Sequence, residues 1–303
     1  MENKLIVRIA EGLGNQLFMY AHGYALSKRI NYDFFIDSKS AYFKYKNIRK
    51  FELDNFNITA KLIDDKEKFD NYFLDLKRKF LKKIDVINPK KKFLIEKRNN
   101  LKSTKYYEYE IKNFSNKVYV EGYFESEFYF KNFKNDLRKE FSLKNFSMFK
   151  NNKYYNNISN NKKVVSICIR QHRYSERLGN YNDQSSITKS NKFTQDTIEY
   201  IHRAVSLCEK KIDNPIFYIW SNDFSNLREY FNNKKFFFVE NIIDKSISDF
   251  YLLNECKNFI VGPTSFHWWP AWLNYDESNL IIRPRNLNPS NNCDFWPKSW
   301  ISI

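Results

Sequence analysis

Residues 164–169 read Val-Val-Ser-Ile-Cys-Ile, an apolar run rich in β-branched side chains that stops abruptly at Arg170. A run with so little alternation leaves neither face in water, which suits a strand buried on both sides of a parallel sheet. His172 and Arg173 follow at once. In open parallel sheets, ligands gather outside the carboxyl ends of the strands, so this burst of cation falls where a ligand would sit. Arginine suits a phosphate there, because its planar fork donates two parallel hydrogen bonds. The competing reading is that Arg170, one of 51 basic residues, merely solvates a strand end.

The pattern continues in both directions. Residues 171–193 form a polar loop, and a helix capped by Thr194 carries Ile198, Ile201, Val205 and Cys208 at helical spacing. Strands are expected at 216–220, 235–239, 259–261 and 280–282, and helices at 224–231, behind Ser248, and at 266–273. Such alternation implies a parallel sheet. The chain opens in the same way: a strand over 5–10, the turn Glu11-Gly12-Leu13-Gly14-Asn15-Gln16, a helix from Leu17 to about Arg29, and a strand over 32–37. A strand at 118–122 leads into an aromatic turn at 123–133. Residues 43–118 read only as helices and connections, Lys-rich at 76–83 and 90–97. The polar tract 151–163 has little to bury and marks a boundary. The expected fold is α/β, two facing Rossmann-like domains of residues 1–155 and 162–303.

The formal charge of +16 attracts polyanions, whether nucleic acid, anionic membrane or phosphorylated substrates. A composition biased to Lys and Asn explains the same number without a partner. A basic RNA-binding protein fits the charge and the 18% aromatic content, but no RNP1-type signature accompanies them, so no nucleic-acid partner is expected. Each Lys run reads more simply as a solvated face. The four cysteines, at 168, 208, 256 and 293, form no C-x-x-C, which points to a reducing cytoplasm rather than a disulfide framework. The start of the chain lacks the pattern of a secretory leader, and no apolar run reaches the roughly 18 residues a membrane span needs.

Three strand-to-helix corners carry anion-binding equipment. At Gly12 and Gly14 the third small residue of a dinucleotide fingerprint is missing, because position 17 is Leu, so no nicotinamide cofactor is expected. What remains is backbone approach at Gly14, amides at a helix N-terminus, and the side chains of Asn15 and Gln16. The second corner is Arg170 with His172 and Arg173. The third is Gly262-Pro263-Thr264-Ser265, followed by Phe266 and His267, where two hydroxyls meet free amides. Ordinary helix capping by Ser265 explains that corner equally well. His267 reads as a surface histidine in preference to a phosphate donor, and Trp268, Trp269 and Trp272 as core. In two facing half-sheets the three corners can converge on one phosphorylated ligand. There is no H-E-x-x-H, and Asn222-Asp223 is not D-x-D, so no metal is expected. A leaving diphosphate would then be neutralised by Arg170, Arg173 and backbone amides.

These residues carry a resemblance. Gly12-Leu-Gly-Asn-Gln-Leu-Phe-Met-Tyr-Ala, Ile169-Arg170 after its strand, Ser221-Asn-Asp223, Ser265-Phe-His-Trp-Trp-Pro-Ala-Trp-Leu273, and Val120-Glu-Gly-Tyr-Phe-Glu-Ser126 are similar, in order, to the motifs of bacterial α-1,2-fucosyltransferases of glycosyltransferase family eleven. The resemblance implies a GT-B fold and inverting, metal-independent transfer of fucose from GDP-fucose to a galactose-containing acceptor glycan. The donor would be held chiefly by the C-terminal domain, with the acceptor on the N-terminal side. Arg170 matches the arginine at the donor diphosphate, Asn15 the asparagine near the donor, and Ser265 the serine before the tryptophan pair. Donor contacts are therefore expected from Gly12, Gly14, Asn15, Arg170, His172, Arg173, Ser221, Asp223, Thr264, Ser265, Phe266 and His267, and catalysis from Arg170, Asn15 and Glu11. Where the family commonly has H-x-R-R-G-D, this chain has Cys168-Ile-Arg170-Gln171-His172-Arg173, and position 11 is Glu where many members have Gly. Glu11, Glu125 and Asp183 are the candidate general bases. A lipid-linked acceptor would place the enzyme against the inner membrane, where its lysines meet anionic lipid.

Overall fold

Two parallel sheets carry the chain. In a computed structural model, the residues described are all except 1–2, 45–48, 98–102, 146, 148–149, 160, 178–182 and 241–244. The first sheet contains β1 (Lys4–Arg8), β2 (Asp33–Asp37), β3 (Lys61–Leu62), β4 (Lys91–Ile95) and β5 (Phe114–Glu121), in the order β3-β2-β1-β5-β4. Every neighbouring pair is parallel. Helix α1 (Leu13–Ile30) returns the chain from β1 to β2 and is buried on nearly all sides from Leu13 to Ser27, which is why it lacks a polar face. It ends where Asn31 takes a left-handed conformation (φ 55°) and donates its N–H to Ser27 O. Helix α2 (Tyr72–Ile84) is capped by Asn71, whose side chain accepts from Leu74 N. A short α3 (Lys134–Glu140) follows β5.

The second sheet runs β11-β10-β9-β6-β7-β8, again all parallel. Its strands are β6 (Val164–Ile169), β7 (Ile216–Ser221), β8 (Phe236–Phe238), β9 (Asn258–Ile260), β10 (Ile281–Arg283) and β11 (Ile301–Ser302). All six residues of β6 are buried, Ser166 among them, as its apolar, non-alternating run implies. Val165, Ile167 and Ile169 pack against Ile198, Ile201, Ala204, Val205 and Cys208 of α6 (Gln184–Lys211). Each valine and isoleucine among them contributes about 1.5–3 kcal/mol by leaving water. On the other face Ser166 meets His267 of α9 (Ser265–Leu273), a helix whose Trp268, Trp269 and Trp272 are buried as expected.

Several boundaries differ from the sequence reading. Helix α6 starts ten residues before Thr194, because Asp183 caps it by accepting from Ser186 N at 3.0 Å. A short helix, α5 (Arg173–Arg177), occupies part of the expected loop. Ser248 lies buried inside α8 (Lys245–Glu255) and is not its cap. The chain divides into two compact units, Met1–Lys144 with Ser290–Pro297, and Asn145–Pro289 with Lys298–Ile303. The division falls ahead of the polar tract 151–163, part of which forms α4 (Tyr155–Ile158) in the second unit. Residues 290–297 return to the first unit, where Cys293 N donates to Thr104 O at 3.0 Å and Phe295 packs on Phe18.

Candidate functional site

In the second unit, the register places Ile169 beside Ser221 and Ile167 beside Ile260. The residues just beyond, Arg170, Asn222 and Pro263, therefore share one carboxyl edge, the position where parallel sheets bind ligands. Arg170 is part-exposed, and its Nη2 group donates to Glu176 Oε2 on α5. A guanidinium has five N–H donors, so one carboxylate orients it without exhausting it. Gln171 clamps the edge: its N–H donates to Asn222 Oδ1 (2.8 Å), and its Nε2 to the carbonyls of Asp223 (2.7 Å) and Ser225 (3.0 Å). His172 takes a left-handed conformation (φ 56°) and lies 2.8 Å from Asp223 Oδ2. The Ser225 hydroxyl and amide, helped by His172, hold the Asp223 carboxyl down at about 2. Ser221 Oγ donates to Asp223 O at 2.5 Å, and Lys245 Nζ to Ser221 O at 2.7 Å. Arg173 is engaged elsewhere: its guanidinium lies 5.1 Å from the Phe193 ring and donates to Pro289 O. It does not stand open beside Arg170 as a ready second cation.

The third corner is built differently from the sequence expectation. Thr264, not Ser265, caps α9, its hydroxyl accepting from His267 N at 3.1 Å. Ser265 and Phe266 are part-exposed at the first turn, whose amides have no acceptor within the helix. His267 is neither a surface residue nor a donor ligand, because it is fully buried with both ring nitrogens used. Nδ1 accepts from Gly262 N (2.9 Å), so the proton is on Nε2, which faces Ser166 Oγ at 3.2 Å. Burial pushes its pKa down to about 3 and keeps it neutral. Gly262 must be glycine: a Cβ there would lie 1.9 Å from the carbonyl oxygen of Cys168, at the end of β6.

The first corner sits at the carboxyl edge of the first sheet. Glu11 holds a left-handed conformation (φ 63°), and Gly12 is the N-cap residue of α1. Gln16 is fully buried and ties three segments together. Its Nε2 donates to Glu11 O (2.8 Å) and Lys50 O (2.7 Å), while its Oε1 accepts from Glu52 N (2.9 Å). Gln16 is thus structural; Asn15 is part-exposed and Gly14 buried beside it. Glu11 Oε1 accepts from Tyr123 OH at 3.1 Å, which links this turn to the aromatic turn after β5. That second turn is held by Glu96, which accepts from Tyr123 N (2.8 Å) and Phe124 N (3.0 Å). Glu125 accepts from Ser290 Oγ. Asp183 is occupied as the cap of α6, and its Ser186 partner lowers its pKa.

Glu176, Gln171, Lys245, Glu96 and Tyr123 were not singled out by their sequence pattern. A lone carboxylate six residues past an arginine has no spacing signature, and the contacts of the others span 24 to 112 residues. A non-glycine residue in the left-handed region three residues past the end of β1, β5 and β6 (Glu11, Phe124, His172) leaves no mark in the sequence either. Among the described residues no group of three or more His, Cys, Asp or Glu is placed to hold a metal ion.

The fold is that of GT-B-type fucosyltransferases. The fucosyltransferase NodZ from Bradyrhizobium matches with a TM-score of 0.52 at 12% identity, over 89% of this chain and 92% of that one. A mutant of FUT1 from Arabidopsis thaliana, in complex with GDP, matches with a TM-score of 0.51 at 13% identity, over 95% of this chain and 72% of that one. At sequence level the chain belongs to glycosyl transferase family 11, whose family model matches residues 4–303. Two relatives from Escherichia coli align over nearly their whole length. One is the O-antigen biosynthesis glycosyltransferase WbnK, 26% identical over 97% of this chain and 99% of its own. The other is an alpha-1,2-colitosyltransferase, 27% identical over 99% of this chain and 98% of its own.

Proposed function

We propose that this chain transfers L-fucose from GDP-fucose to the 2-hydroxyl of a galactoside in a surface glycan, with inversion and without a divalent ion. The observation that carries this reading is Arg170, held by Glu176 at the same sheet edge as the open first turn of α9. The acceptor hydroxyl attacks fucose C1 from the face opposite GDP. The C1–O bond to the β-phosphate breaks through an oxocarbenium-like transition state, and charge grows on the departing phosphate. Arg170 and the amides at Ser265 and Phe266 meet that charge. The acceptor proton passes to a carboxylate. Glu11 suits this role best, since its turn is fixed by Gln16 and its side chain by Tyr123. Asp223 acts by holding His172 and the loop after β7.

Support for the donor comes from the GDP complex and the fucosyltransferase neighbours. Support for a surface-glycan acceptor comes from the relative that serves O-antigen biosynthesis. We take that acceptor to be lipid-linked, which places the reaction at the cytoplasmic face of the inner membrane. The name of the second relative favours one alternative, the same α-1,2 linkage formed with colitose or another GDP-sugar instead of fucose. An assay of GDP-fucose, GDP-mannose and UDP-galactose against a panel of galactosides, in EDTA, tests the proposal. A 2-linked fucosyl product from GDP-fucose is expected. Product from another nucleotide sugar and none from GDP-fucose would refute it.

A further inference from the structure

Helix α2 is amphipathic with its faces reversed. Its inner face is ionic: Asp75 and Arg78 are buried and bonded to each other at 2.6 Å, and Arg78 and Lys82 both hold Glu121 at the end of β5. Lys44 and Lys79 complete the cluster on Asp75, at 2.6 and 3.3 Å. The outer face is apolar. Phe73, Leu76, Phe80 and Ile84 recur at helical spacing with 76, 66, 61 and 41% of their surface exposed, and Ile87, just beyond the helix, is 86% exposed. Lone exposed apolar residues mean little, but a contiguous stripe marks a contact surface.

Charge identifies the occupant. Exposed Lys77 and Lys83 flank the stripe on either side, exposed Lys90 and Lys92 follow the turn after it, and both carboxylates of residues 72–92, Asp75 and Asp85, are buried. A protein partner fitted to the stripe alone would not call for that rim. An anionic bilayer calls for both, since acyl chains receive the apolar stripe and phosphate headgroups the lysines around it. Among the described residues no helix is long and apolar enough to cross a membrane, so this contact lies in the plane of the interface. We propose that α2 and the turn after it form a docking surface for an anionic phospholipid bilayer, with Phe73, Leu76, Phe80, Ile84 and Ile87 entering the headgroup boundary. Because every residue concerned lies in the first unit and outside the sugar-nucleotide residues, the proposal holds whichever sugar is transferred.

Co-sedimentation at low salt with vesicles of phosphatidylcholine alone, and of phosphatidylcholine mixed with phosphatidylglycerol, tests it. Full-length protein should partition at least about tenfold more strongly onto the mixed vesicles, since each lysine near an anionic surface contributes about a fivefold factor. Leu76→Glu and Phe80→Glu alter exposed side chains only, so they should keep circular dichroism and GDP binding while losing vesicle binding about tenfold or more. Lys77→Gln with Lys83→Gln should weaken binding and flatten its salt dependence. Equal partitioning onto both vesicle types overturns the proposal. So does wild-type binding by Phe80→Glu, or a dimer that Phe80→Glu converts to monomer in a protein that binds neither vesicle, since a second copy would then cover the stripe.

Discussion

Glu176 holds the Nη2 group of Arg170 across the six residues that turn the chain from the end of β6 into α5. The pair is part-exposed, so its worth lies less in stability than in aiming the guanidinium. Misplacing a catalytic group by about 1 Å typically costs up to about a hundredfold in rate. Glu176→Ala should therefore lower kcat roughly 10- to 100-fold with an unchanged melting temperature. Steady-state kinetics beside thermal denaturation checks this, and a variant with wild-type kcat would show that Arg170 needs no orienting partner.

The same edge depends on the closeness of β6 to the chain after β9. Gly262→Ala would drive a methyl group against the Cys168 carbonyl, and neither backbone can give way without moving a strand. Overpacking of this kind costs roughly 1–3 kcal/mol. Urea unfolding should show that loss, whereas Gly12→Ala, with only Arg49 atoms at 4.0 Å, should show much less.

Acid should destabilise the fold through two buried histidines. His267 is held neutral with its pKa lowered to about 3 by burial, and burial lowers His22 well below its usual value, with neighbouring Arg29 acting the same way. Unfolding lets both titrate near 6.5, so the unfolded chain binds more protons below that pH and stability falls with pH. The contribution is complete above pH 6.5 and is lost as pH falls below it, for His267 down to about 3, by up to about 1.4 kcal/mol per pH unit for each histidine. His22 stacks on Phe124 at 3.7 Å, and neither ring nitrogen has a hydrogen-bond partner. His22→Leu should therefore preserve stability at pH 7 and reduce the acid slope, as unfolding midpoints at pH 7 and pH 5 would reveal. An unchanged slope would mean that His22 does not titrate on unfolding.

Beneath α2, Glu121 is the acceptor shared by Arg78 and Lys82. Burial pushes its pKa up, but the two cations outweigh that and leave it lowered. Glu121→Ala leaves Arg78 with Asp75 as its remaining carboxylate and takes from Lys82 its acceptor, so the loss should fall short of the roughly 3–5 kcal/mol that a fully uncompensated buried charge costs. Hydrogen exchange across residues 72–84 should rise in the variant. Wild-type protection would show that the ionic face does not anchor the helix.

Strong local pattern made the second sheet legible. Residues 164–169 are apolar but for Ser166 because both faces are covered, and 216–220 and 259–261 follow the same logic. The start of α6 is hidden because its first turns are polar and its true cap, Asp183, lies eleven residues upstream of an equally good candidate in Thr194. Residues 43–118 stayed unread for a different reason. An apolar stripe at helical spacing ordinarily faces the core, and in α2 it faces out while charged side chains face in. At the site, Arg170 and the turn at 264–266 stood out by chain position, at strand ends before helices. The role of His267 did not, because whether a histidine points at a ligand or into the core depends on a glycine and a serine from other segments.

The most direct test is the turnover of Arg170→Ala with GDP-fucose and a galactoside in EDTA, on protein shown to be folded. Removing a donor that stabilises developing charge lowers the rate by about 10²–10³-fold, and that loss is the result expected here. Wild-type turnover from the folded variant, or activity that appears only when a divalent ion is restored, would contradict the claim that side chains and backbone of this protein carry the departing diphosphate.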